Sequence, residues 1–237
     1  MRARVPASSA NLGPGFDTLA VALDRYVEVD VEPASKLIVR TEGEGQGLAD
    51  DSSHLAARVA IDVAGHDRLA ITVRSQIPIA RGLGSSAALA VAAAAAAGAE
   101  DPLAVAAAID GHADNAAASA VGGLVAAARV RGGVHVVRLP LDVSLAFVVM
   151  VPDVTLSTAR ARQALPAEVT RENAVFNLSR MALLLAWPTA ASSYRRRPRT
   201  GCTRITGAPS SRRPRRCWRP WWPAARWPRA GRGPDPP

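Results

Sequence analysis

Residues 78–88 read Pro78-Ile-Ala-Arg-Gly-Leu-Gly-Ser-Ser-Ala-Ala88. An alternating apolar run, Leu69 to Ile77, precedes this stretch and an alanine-rich run to Ala97 follows it, which predicts strand, glycine loop and helix in that order. Such a loop suits an anion. Gly82 and Gly84 can take positive φ and put no side chain between backbone and ligand, so successive N–H groups can turn toward a phosphate. Ser85 and Ser86 then fall in the first helical turn, where unpaired N–H groups and the positive end of the helix dipole favour negative charge. Either hydroxyl could also reach a phosphate oxygen or Mg²⁺. No Gly-Lys-Ser/Thr follows, which excludes a Walker A loop, and the glycine spacing is not that of a dinucleotide fingerprint. A glycine-rich turn with a serine cap fits the same residues, so the rest of the chain has to decide.

The chain has 237 residues, enough for one or two domains with a sizeable core. No apolar run is long enough to span a bilayer, and the start, MRARVPASSANLGPGFD, lacks the apolar core of a signal peptide, so a soluble cytoplasmic protein is expected. The net charge of +9 would suggest a nucleic-acid or membrane partner if it were spread evenly. It is not. Trp187 to Pro237 holds thirteen Arg, no Lys and one acid, Asp235, so this tail carries +12 of the +9 and leaves −3 for Met1 to Ala186. Both cysteines (Cys202, Cys217) and all five tryptophans (Trp187, Trp218, Trp221, Trp222, Trp227) also lie in the tail.

Arg4 to Asp17 predicts a short strand running into a loop in which Asn11 and Asp17 are the side chains with oriented polar capacity; an Asx-capped turn would use them equally well. Tyr26 to Glu32 and Leu37 to Glu42 alternate as strands with one wet face, and Ser53 to Ala64 has helical spacing. The alanines of 91–98 favour helix but promise little packing, and a GC-rich gene would supply such a run without selection. Leu103 to Ile109 predicts a further helix. Its end crowds Asp110, His112, Asp114 and Asn115 into an otherwise apolar region, where buried polar groups need partners and a ligand is one candidate. No paired His or Cys lies near enough for zinc, whereas Asp110 is the type of hard oxygen ligand that suits Mg²⁺. A hairpin is expected from Gly122 to Leu139 over Arg131-Gly-Gly133. Leu145 to Pro152 reads as a strand buried on both faces. Ser157 or Thr158 could cap the next helix, where Thr158 and Arg162 share a face. Arg162 could hold a carboxylate with both arms of its guanidinium, or lie solvated. Asn173 to Ala186 is the last orderly helical stretch.

Four separated pieces, PASSANLGPGFD at 6–17, PIARGLGSSAA at 78–88, GHADNAAASAVGGLV at 111–125 and VPDVTLSTARARQALP at 151–166, resemble the homoserine kinases. These belong with galactokinase, mevalonate kinase and phosphomevalonate kinase among the small-molecule kinases, and the resemblance runs from about residue 3 to Ala186. It implies an α+β fold of two domains: a ribosomal-protein-S5-like ATP-binding domain over 1–143, and a ferredoxin-like domain that begins at 144 and breaks off at 186. ATP would lie on Pro78, Ile79, Ala80, Arg81, Gly82, Leu83, Gly84, Ser85, Ser86, Ala87 and Ala88. L-homoserine would be held by Asp17 at its ammonium and Arg162 at its carboxylate. Asn11, His112, Asn115 and Thr158 would complete that pocket, with Asn115 and Arg162 closest to the chemistry. Ser86, or its neighbour Ser85, would bind Mg²⁺ with Asp110, where the family usually has the longer Glu. The resemblance also implies a place in threonine biosynthesis and a homodimer.

The pattern stops at Ala186. The expected second substrate Arg, in a segment like Asp-Arg-Leu-His-Gln-x-Tyr-Arg, and a late Ser-Gly-Ala-Gly-Pro loop are both missing from residues 187–237. Arg, Pro, Ala, Gly and Trp stand there instead, as GC-rich codons give when read out of frame. Thr200 to Gly207 can be encoded as ACC GGC TGC ACC AGG ATT ACC GGG; one base earlier, with a leading G, this reads Asp-Arg-Leu-His-Gln-Asp-Tyr-Arg. The same backward shift lets Ala230 to Asp235 read Ser-Gly-Ala-Gly-Pro-Asp. With ten Pro and thirteen Arg and no period of 2 or 3.6, the tail is expected to be disordered. It is also expected to leave 145–152 uncovered and the chain unstable or inactive. Two other functions compete: a related kinase acting on another alcohol, and a non-catalytic nucleic-acid binder using the Arg and Trp tail. Nothing orders those aromatics into a platform, so neither a nucleic-acid nor a membrane partner is expected. Sequencing the gene across the Ala186 codon is expected to reveal a one-base shift; a single intact frame at good coverage overturns it.

Overall fold

In the computed structural model, which describes residues 1–111, 113–142, 145–151 and 158–194, one long strand carries most of the sheet. This is β2 (Gly15–Pro33). Val27, Val29 and Val31 are buried while Glu28, Asp30 and Glu32 between them face outward, the period-2 pattern of a strand with one wet face. Its partners are β1 (Arg2–Asn11), β4 (Leu69–Ser75) and β5 (Leu124–Val130), all antiparallel to it. Residues 27–30 bond both β1 and β4, whereas residues 20 and 21 bond both β1 and β5. β3 (Ile38–Gly43) lies parallel to β4, and β6 (Gly133–Leu139) closes the expected hairpin with β5. The sheet order is therefore β3-β4-β2-β5-β6, with β1 against β2.

Charges on the wet face cross the strands. Arg2 Nε lies 2.6 Å from Asp30 Oδ1, Arg74 Nη1 2.7 Å from Asp30 Oδ2, and Arg74 Nε 3.2 Å from Glu42. The hydrogen bonds from Arg2 and then Arg74 hold the Asp30 carboxyl below its ordinary range. Pairs this exposed add little to stability, because water screens them.

Three helices follow from segments that the sequence pattern picks out, α1 (Leu55–Ala64), α2 (Ser85–Ala97) and α3 (Pro102–Asp110), and a fourth that it does not, α4 (Ala113–Val121), forms after the polar cluster. The alanine run does more than expected. α2 touches α1, α3, α4, β1 and β2, and Ala87, Ala88, Ala90, Val91, Ala92, Ala93, Ala94 and Ala96 are all buried. A helix surrounded in this way needs small side chains so that neighbours can approach, and each larger residue would have to displace one of them. Gly98, at φ 93°, ends it in the left-handed conformation.

The C-terminal expectations need correction. No strand forms over 145–151: these residues have no regular structure, and Val148 and Met150 are 97% and 91% exposed. Continuous apolar composition signals a demand for burial, but among the described residues no strand pairs with this one, so its apolar side chains stay uncovered. The ferredoxin-like domain expected from residue 144 has α5 (Thr158–Gln163) and α6 (Arg171–Tyr194) but no strand among its described residues. α6 also runs eight residues past Ala186, into the stretch expected to be disordered. Ala190 and Ala191 favour helix there, although Pro188 disfavours a helix interior. From Arg195 onward the disorder expectation lies outside the described residues. Among the described residues no helix is long and apolar enough to cross a membrane.

α1 is capped by an ionisable group. His54, 4% exposed, accepts a 3.2 Å hydrogen bond from the Ala56 N–H at Nδ1, so the ring's proton sits on Nε2, 3.3 Å from Thr41 Oγ1. Burial lowers its pKa from the ordinary 6.5. As pH falls, the unfolded chain therefore takes up this proton first. The stabilisation is complete above about pH 6.5 and declines from there toward the depressed folded value. Thermal melts of His54→Asn, which keeps a capping acceptor without a titrating ring, are expected to show a shallower loss of stability between pH 7 and 5 than the parent; equal slopes would refute the assignment.

Candidate active site

Beyond β4, Ile77 and Leu83 are buried and pin the two ends of the glycine loop into the core. Between and beside them Ala80, Gly82 and Gly84 take φ of 56°, 73° and 63°, so the backbone reverses its turn within five residues. Ala80 does so with a side chain, a strained choice of the kind found where a loop is shaped for a ligand. Gly84 is the N-cap of α2 and Ser85 and Ser86 form the helix's first turn, as the sequence predicts. Gly84 provides no side-chain cap, and the first-turn N–H groups carry the positive end of the helix dipole.

Strand β1 braces this loop through a residue that sequence reasoning passed over. The Ser8 N–H donates to the Leu83 carbonyl at 3.1 Å. The Ser8 hydroxyl, wholly buried, donates to Asn115 Oδ1 at 2.9 Å and receives the Ser119 hydroxyl at 3.4 Å. A Cβ on Gly84 would stand 2.3 Å from Ser8 Oγ and 3.0 Å from Asn115 Oδ1, so the loop, β1 and α4 meet where only glycine fits. Asp114, also buried, accepts the Asn115 N–H at 2.8 Å and fixes the start of α4. Only the adjacency of Ser8 to Asn11 hinted at this role, and two adjacent serines gave no means of telling which one turns inward.

A second cluster forms at the β1–β2 turn. Asn11, Leu12 and Asp17 all adopt positive φ, at 69°, 44° and 53°. Asn11 Oδ1 accepts the Asp17 N–H at 2.9 Å, the Asx-type turn that the sequence left open beside a ligand role. Asp17 and Arg162, assigned to opposite ends of the substrate, here face each other. Arg162 Nη1 is 3.1 Å from Asp17 Oδ2 and Nη2 2.5 Å from Oδ1, a bidentate pair, and the guanidinium lies 5.3 Å from the Phe16 ring centre. Asn177 of α6 donates to the Pro14 carbonyl at 2.9 Å, so both C-terminal helices reach this turn.

The remaining expected site residues are placed less fully. Asp110 ends α3 and Thr158 opens α5, while His112 and Ser157 lie outside the described residues. Among the described residues no group of three or more His, Cys, Asp or Glu could hold a metal. Two concavities occur elsewhere: one of about 700 Å³ between β1 and the far parts of α2, α3 and α4, and one of about 260 Å³ at Tyr26, Glu28, Glu42 and Arg74. Neither of these two touches the glycine loop or the Asn11–Asp17 turn, where the strained backbone and the polar groups converge.

Comparison with known proteins bears on this geometry. The family model described as the GHMP kinases N-terminal domain matches residues 52–123, the stretch from α1 through the glycine loop to α4. A homoserine kinase of Moorella thermoacetica is 42% identical over 197 residues, covering 77% of this chain and 67% of the relative. The chain belongs to the homoserine kinase family. A second homoserine kinase, from Thermus thermophilus, is 42% identical over 205 residues, 82% of this chain and 68% of that protein. The crystal structure of homoserine kinase from Cytophaga hutchinsonii superposes with a TM-score of 0.62 at 25% identity, covering 78% of this chain and 66% of that one. The homoserine kinase match thus spans about two thirds of each relative. The GHMP kinase fold, mixed α and β with an open sheet, agrees with the α+β class read from the sequence.

The close approach at Gly84 has a measurable cost. Gly84→Ala combines positive φ with a clash against Ser8 and is expected to lose roughly 2–4 kcal/mol in denaturant unfolding. Gly82→Ala, with positive φ but nothing within 4 Å of its Cβ, is expected to lose about 1 kcal/mol. Equal losses would contradict the braced loop.

Proposed function

We propose that this chain carries the catalytic site of a homoserine kinase, transferring the γ-phosphoryl group of ATP to the side-chain hydroxyl of L-homoserine to give O-phospho-L-homoserine in threonine biosynthesis. The observation that supports this most is the glycine loop, running into the N-terminus of α2 with the Asn115 amide beside Gly84. Backbone N–H groups of residues 82–86 would hold the phosphates. Ser86 and Asp110 would hold Mg²⁺, which supplies charge neutralisation at the transferring group when bound. The substrate hydroxyl oxygen forms the new bond to phosphorus, the bond to the β–γ bridging oxygen breaks, ADP leaves, and the hydroxyl proton passes to solvent. Catalysis of this kind rests on positioning and charge, and no residue is assigned as general base.

The Asp17–Arg162 pair supports the amino-acid substrate. A zwitterion brings one ammonium and one carboxylate, so it can replace each partner of the ion pair with an equivalent charge. A neutral alcohol would leave both unpaired. Asn11 and His112 would line the same pocket, with Thr158 beside the carboxylate. Because the tail departs from the family after Ala186, turnover by the chain as written is expected to fall far below that of a full-length relative.

Calorimetric titration separates binding from turnover. The chain is expected to bind a nonhydrolysable ATP analogue, and then homoserine in preference to mevalonate or galactose. Arg162→Ala is expected to weaken homoserine about 10–100-fold, the worth of a charge-assisted bidentate contact, while leaving the analogue unaffected. Failure to bind any nucleotide overturns the reading.

A further inference from the structure

We propose that Ser8 is a positioning residue, whose buried hydroxyl holds the oxygen end of the Asn115 side-chain amide beside Gly84 and so decides which end is left for a ligand. The proposal rests on the reading of the glycine loop as the nucleotide site. An amide has an accepting end and a donating end of nearly equal shape, so something must choose between them. Ser8 chooses. Its hydroxyl has one hydrogen, and the Asn115 Oδ1 at 2.9 Å is nearer than the Asn115 backbone carbonyl at 3.3 Å. Ser119, 3.4 Å away, gives its own hydrogen to Ser8 Oγ, so the chain of donors runs one way, from Ser119 through Ser8 to Asn115. Turning the amide over would take away the 2.9 Å acceptor and leave the Ser8 hydrogen only the backbone carbonyl at 3.3 Å.

With Oδ1 committed to Ser8, the two N–H bonds on Nδ2 are what Asn115 can offer a ligand. An anionic phosphoryl oxygen needs donors; a reversed amide would meet it with lone pairs. The arrangement depends on Gly84, because a Cβ there would lie 2.3 Å from Ser8 Oγ and block the reach to Asn115. The same residue also ties down the loop, through its N–H on the Leu83 carbonyl at 3.1 Å. One backbone bond and one side-chain bond from Ser8 therefore set loop and amide in register.

The test is a double-mutant cycle on the full chain, read as affinity for a nonhydrolysable ATP analogue beside thermal melts. Ser8→Ala keeps the backbone bond but frees the amide to turn, and affinity is expected to fall roughly tenfold, the cost of one lost hydrogen bond to a charged group. In an Asn115→Ala background the same substitution is expected to change affinity less than twofold. An undiminished loss in that background means that Ser8 acts on the loop directly and overturns the proposal, as does wild-type affinity in Ser8→Ala. If Ser8→Ala does not fold, Ser8→Cys, nearly isosteric but a weak donor, replaces it in the same cycle, with a loss again expected only when Asn115 is present. Absence of binding by the parent chain overturns the kinase reading on which the proposal rests, and is distinguished from these outcomes by the parent titration alone.

Discussion

A helix with neighbours on every side can be built only from side chains that need little room, and α2 meets that constraint with alanine. It lies among α1, α3, α4, β1 and β2, and seven of its eight buried residues are Ala. Each methyl contributes little on its own, but short side chains let backbones draw close and gain contact along the whole length. The start of α2 is thereby held rigidly. An anion site made of main-chain N–H groups, as proposed for this loop, works only if those groups are pre-aimed, and the packing of α2 would do the aiming.

The two polar clusters differ in how they are held. Around Gly84 the buried Ser8 and Ser119 join the half-buried Asn115 in one run of hydrogen bonds. At the β1–β2 turn the Asp17 and Arg162 side chains are 39% and 35% exposed, so water competes for both and the pair can exchange for a ligand at modest cost. In the proposed kinase, a rigid loop would fix the nucleotide and an exchangeable charge pair would admit the second reactant.

Much of this was legible in the residues. Period-2 alternation marked β2 and β3, the glycine loop between Ile77 and Ser85 marked the strand-to-helix junction, and the Arg131-Gly-Gly133 turn marked the last hairpin. Other features turned on tertiary partners that no local pattern encodes. The alanines of α2 looked like an accident of codon usage, because a helix apolar all round has no period to read. Leu145 to Val151 looked like a doubly buried strand because composition reports what a segment needs and not whether its partners exist. Ser8 was indistinguishable from Ser9 until Gly84 and Asn115 were seen on either side of it. The direct pairing of Asp17 with Arg162 was hidden for a plainer reason: two residues 145 apart in the chain meet only in the fold.

The reliance of three strands on β2 also shapes how the molecule is assembled. β1 joins it across a tight turn, closing almost no loop, whereas β5 pairs with it from about a hundred residues downstream. Loop-closure entropy and contact order therefore favour the N-terminal hairpin as the earliest piece of sheet, with β5 and β6 added only once the intervening helices have shortened the gap. During synthesis the first thirty-odd residues would wait as a template for everything that leaves the ribosome after them.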